Sequence, residues 1–125
     1  MAASSMRFDF VRRSSADDRR IVQGSTWTPA LSFDSRFGVD WTGFAARCQL
    51  RRHHADRTGA SVVAQVQATI VNPGPDQRII ELHLSADQTA AIRDTSGTWD
   101  VEIYNGTTVT RVGAGVWALS RETTR

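Results

Sequence analysis

The stretch Thr98 to Ser120, TWDVEIYNGTTVTRVGAGVWALS, constrains the chain more than any other. In WDVEIY the apolar Trp99, Val101 and Ile103 alternate with Asp100, Glu102 and Tyr104, the period of a strand with one buried face. Asn105-Gly106 follows at once, and this dipeptide accepts the positive φ angles that a two-residue type I′ turn needs at both central positions. The chain is therefore expected to fold back, with a return arm from Thr107 to Arg111, a glycine-rich break at Gly113 to Gly115, and Val116 to Leu119 beyond it. Glycines inside a strand pattern mark a bulge or bend more often than an end. A lone hairpin is marginal in water, so this one must close a larger sheet.

The upstream segments supply that sheet. Ser25 to Phe33 reads as an edge strand, because Trp27, Leu31 and Phe33 share one phase and Pro29 suits only an edge or a bulge. Phe44, Ala46, Cys48 and Leu50 alternate with Ala45, Arg47, Gln49 and Arg51, the cleanest two-faced strand in the chain. Val62, Ala64, Val66, Ala68 and Ile70 form one face of a further strand, and Ile80, Leu82 and Leu84 one face of the next. Ser85 with Gln88 three residues later makes a capping box that opens a short helix over Ala86 to Arg93, whose Ala90, Ala91 and Ile92 would plug one end of the sheets. Six or seven short strands, and no helix long enough for a parallel crossover, predict an all-β protein. The expected architecture is an antiparallel immunoglobulin-like β-sandwich, with a small open barrel as the alternative.

Residues 1–20 read as an extended N-terminal arm and residues 21–125 as one sandwich domain. The apolar Phe8, Phe10 and Val11 stand before RRSSADDRR, whose opposite charges favour solvent, so such an arm packs either on its own domain or on a neighbouring subunit; the alternative is an ordered first strand of the same domain. A chain of 125 residues makes one domain without staples. The single cysteine, Cys48, falls on the apolar phase of its strand and is expected to be buried. No signal-peptide core and no long apolar span is present, which predicts synthesis in a cytoplasm and no membrane partner.

The net charge of +2 arises from 15 basic residues, all arginine, against 13 acids. Arginine suits protein interfaces as well as phosphates, and a GC-rich coding sequence gives the same bias. The interspersed signs, and the lack of aromatic residues among Arg47, Arg51, Arg52 and Arg57, argue against nucleic acid as a partner. His53, His54 and Asp56 cluster in a polar segment, but adjacent histidines tend to point apart and do not make a zinc site. No GxSxG, GxGxxG, GxxxxGK[ST] or HExxH occurs, so the reading contains no catalytic residue, metal or cofactor. Trp41, in a loop, is a candidate exposed anchor.

The order of motifs then points further. QGSTW at Gln23 to Trp27, VDWTGFAARCQLRR at Val39 to Arg52, LSADQTAAI at Leu84 to Ile92 and WDVEIYNGTTVTRVGAGVWALSRETTR to the last residue together resemble small virion proteins of tailed bacteriophages and prophages. They are also similar to the N-terminal anchoring β-sandwich of upper baseplate proteins in phages of lactic acid bacteria. Trp41 stands where that pattern has Leu. The resemblance implies a non-enzymatic structural protein present in many symmetric copies of a virion assembled in a bacterial host. Its partners would be other virion proteins: tail, baseplate, fibre or capsid subunits. Head decoration and host-glycan binding, the latter through Trp41, are the alternatives. The residues expected to touch partners are Phe8, Phe10, Phe37, Trp41, Arg47, Gln49 and Arg51.

Overall fold

The computed structural model describes residues 5–33, 40–52, 62–74 and 77–121. Their elements are β1 (Met6–Arg7), β2 (Arg12–Ser14), β3 (Asp17–Asp18), β4 (Ile21–Val22), β5 (Ala30–Phe33), β6 (Ala45–Arg52), β7 (Val62–Asn72), β8 (Arg78–His83), α1 (Ala86–Ala90), β9 (Ser96–Asn105) and β10 (Thr108–Ser120). The protein is mostly strand with one small helix, as the alternation predicts.

The main sheet runs β1-β10-β9-β6-β7-β8-β5, and β4 adds to β10. Neighbours along β10-β9-β6-β7-β8-β5 are antiparallel, whereas β1 and β4 lie parallel to β10. After β4 the chain crosses to the far edge of the sheet. There Trp27 bridges Leu84 and β5 pairs with β8, so one continuous segment reaches from β10 to β8 and the sheet curls until it is nearly barrel-like. Aromatic contacts close the remaining seam. Phe8 meets Phe33 edge-on with ring centroids 5.3 Å apart, and Phe10 meets Trp27 in the same manner at 5.0 Å. The core inside is dominated by Trp41, Trp99, Trp117, Phe33, Leu50, Ile80, Leu82, Leu84 and Val101, all essentially inaccessible.

Residues 6–10, expected as part of an arm, form an edge of the body. The backbone N–H of Phe8 donates to Ala114 O and that of Phe10 to Val116 O, while Ala118 N–H donates back to Phe10 O. Burial of the aromatic beads explains this placement, since Phe10 is only 6% exposed and Phe8 packs against the core. Phe10 sits opposite Trp117 and Ile21 opposite Leu119, so residues 11–20 take up the single register position between them. They do so by everting as the β2–β3 hairpin, closed at its base by Arg19 N–H donating to Val11 O. The boundary expected after residue 20 thus falls within one interrupted edge strand.

Three local expectations shift. Asn105 pairs with Thr108, so the hairpin loop is Gly106-Thr107; Gly106 alone has positive φ, at 61°, which is the type II′ arrangement and not type I′. The glycine-rich stretch, by contrast, behaves as expected of glycines inside a strand pattern: it lies within one continuous strand, and a bulge between Arg111 and Gly113 turns Val112 fully inward. In β7 a register shift opposite Leu50 and Arg51 leaves Val62 exposed and brings Val63 against the core instead. The helix has the expected capping box at Ser85 and Gln88 but ends at Ala90, and only Ile92 of the expected plug is buried, Ala90 and Ala91 being exposed.

Candidate functional site

The outward face of β7, β6 and β9 gathers the polar phase of three strands. Register places Gln49 between Gln65 and Asp100, Arg47 beside Glu102, and Arg51 beside Thr98. The side chains link up: Arg47 donates from Nε to the Glu102 carboxylate, Arg51 donates to Gln49 Oε1, and Gln49 donates to Gln65 Oε1 at 3.0 Å. The Arg47 guanidinium also lies 4.8 Å from the centroid of the Tyr104 ring. Arg47, Gln49, Arg51, Gln65, Asp100 and Glu102 line a groove of about 400 Å³. A second hollow of about 450 Å³ continues from Asp100 across β10 to Arg111 and Arg7.

The Arg47–Glu102 ion pair is exposed, the two side chains being 46% and 31% accessible, and pairs of this kind add little to stability. Their effect is to hold long side chains in place before anything arrives, which lowers the entropy lost when a partner orders them. The face can recognise a polar protein surface through fixed donors and acceptors of both signs. Behind it, Cys48 is buried on the opposite side of β6, where burial, then the nearby Asp100 charge, push its thiol pKa up.

Of the seven residues expected to contact partners, the structure brings together Arg47, Gln49 and Arg51. Phe8 and Phe10 turn into the core, because aromatic area there fills the seam against Phe33 and Trp27. Trp41 is 1% exposed and not a surface anchor: its backbone N–H donates to Pro73 O, its ring packs on Phe33, and the Arg78 guanidinium carbon stands 5.7 Å from the ring centroid. Phe37 lies outside the described residues, as do His53, His54 and Asp56. Gln65, Asp100, Glu102 and Tyr104 were not singled out by sequence reasoning. Each shows the polar phase of its own strand, but that β9 lies beside β6 is a fact of strand order.

Among the described residues, no group of three or more His, Cys, Asp or Glu side chains could hold a metal ion, and no helix is long and apolar enough to cross a membrane. No protein-family model matches the chain, and no curated protein matches it.

Proposed function

We propose that the chain is a structural, non-enzymatic adaptor of a tailed-bacteriophage virion, docking tail, baseplate or fibre subunits in several symmetric copies. In this reading its fold is an immunoglobulin-like sandwich whose edges are drawn almost into a barrel. The observation that carries the reading is the pre-ordered face of Arg47, Gln49, Arg51, Gln65, Asp100 and Glu102, spread over three long strands rather than converging on a reacting atom. A standard interface buries about 800 Å² per partner, so neighbouring parts of the surface would join this face in the contact.

The contacts between the resembling motifs support it too. Gln23 of QGSTW donates to Ile92 O at 3.0 Å, and Gly24 N–H donates to Thr89 Oγ1 at 3.0 Å, so the first motif is clamped to the LSADQTAAI helix. Thr89, fully buried, donates in turn to Ser25 O at 2.8 Å. These pieces depend on one another in space. A host-glycan module is less favoured, since Trp41, the ring meant to stack the sugar, lies in the core.

Co-sedimentation tests the proposal. The purified protein is expected to travel with purified phage tails, and Arg47→Glu with Arg51→Glu to weaken that binding by about 30-fold or more, the size of a hot-spot loss. Binding to empty heads alone would favour head decoration, and binding to neither would contradict a virion role.

A further inference from the structure

The N-terminal edge strand and the hairpin behind it are built as a detachable stave. We propose that β1 and the residues up to Phe10 exchange between copies of this chain, each copy inserting its strand along β10 of another. This self-association stands whether or not the adaptor reading holds.

The slot is specific. Gly115 has no side chain where Phe8 O passes, since a Cβ there would lie 1.8 Å from that oxygen. The indole N–H of Trp99 donates to the same carbonyl oxygen at 2.8 Å, and Asp9 Oδ1 accepts the Val116 N–H at 3.1 Å. Phe8 and Phe10 then fill the aromatic seam. Every one of these contacts is between the strand and the body, so a strand from a second copy makes the same set, and exchange leaves the docking energy unchanged.

The linker decides whether exchange is possible. Ten residues, 11–20, occupy a position for which one would do. Laid out, they span about 33 Å, enough to carry β1 to a neighbouring body. Two ion pairs of the hairpin, Arg19 with Asp17 and Arg20 with Asp18, are local to it and partly or largely exposed, so they can form whether or not the strand leaves its own body. Its first arm, Arg12 to Ser14, is exposed throughout. Chain this long exceeds what the closed edge needs by nine residues, and slack of this kind is what a hinge requires.

Arg7 and Ala114 are register partners, which gives a direct test in the full-length chain. Two single variants, Arg7→Cys and Ala114→Cys, are mixed at rising concentration and oxidised. Exchange predicts a covalent heterodimer, in at least about fivefold excess over either homodimer, with a yield that grows with concentration. Equal heterodimer and homodimer yields would mean random collision and overturn the proposal. The double variant in one chain, oxidised in the same way, checks that the bond forms; a double variant that crosslinks only as monomer at every concentration also overturns it. Deleting residues 12–20 from the double variant leaves Val11 alone at the one register position and joins the two half-strands into one edge, and covalent dimers are expected to vanish while the internal bond remains.

Discussion

At Gly115 the structure turns on one missing methyl group. With Phe8 O only 1.8 Å from where a Cβ would stand, Gly115→Ala is expected to lift the N-terminal strand and to destabilise the protein by about 2 kcal/mol or more, read as a fall in thermal midpoint. Trp99→Phe removes the donor to the same oxygen and is expected to cost about 1–3 kcal/mol by the same measurement. Asp9 ties this strand to pH. Burial alone raises its pKa, but hydrogen bonds from Arg7 and from Val116 N–H outweigh it and hold the carboxyl below its ordinary 3.8. The folded value is thus the lower one, so the stabilisation is complete above the unfolded value and is lost as pH falls through the folded one. Urea midpoints taken from neutral pH downward are expected to fall below pH 3.8, and Asp9→Asn to flatten that fall. These close contacts were not legible in the sequence, where Gly115 reads only as a bend and Asp9 only as a charge between two phenylalanines.

Elements defined by alternation were legible. β6, β8 with the Leu84 that follows it, and β9 place Cys48, Leu50, Ile80, Leu82, Leu84, Trp99, Val101 and Ile103 inward as their period requires, and Pro29 leads into the terminal strand β5. The capping box was legible as well, since it depends on residues three apart; Ser85→Ala is expected to cost about 1 kcal/mol, measurable by thermal unfolding. What local pattern misses are departures from period two that tertiary contacts impose. Val112 adds a residue to β10 because the bulge buries it, and Val63 replaces Val62 after a register shift. The N-terminal strand was legible only as an alternative to an arm, for a related reason. Its period stops at Phe10 and resumes at Ile21, and the charged hairpin between reads as an arm when only neighbours along the chain are considered.

For the molecule as a whole, the division of labour is between an apolar interior sealed by ring contacts and a polar face whose side chains are already tied together. Sequence reasoning found half of that face, the Arg47, Gln49 and Arg51 row, and missed the Asp100 and Glu102 row because strand order is set by the closed sheet. The face is expected to matter for association and not for folding: Arg47→Ala, Gln49→Ala and Arg51→Ala combined should shift stability by no more than about 1 kcal/mol in urea unfolding. The decisive measurement is an electron cryo-microscopy reconstruction of the virions of a phage that encodes this protein. The account predicts density for this domain at the tail tip, baseplate or fibre junction, with the Arg47, Gln49 and Arg51 face buried against a neighbouring subunit. Particles that lack the protein, or that hold it with this face open to solvent, would contradict it.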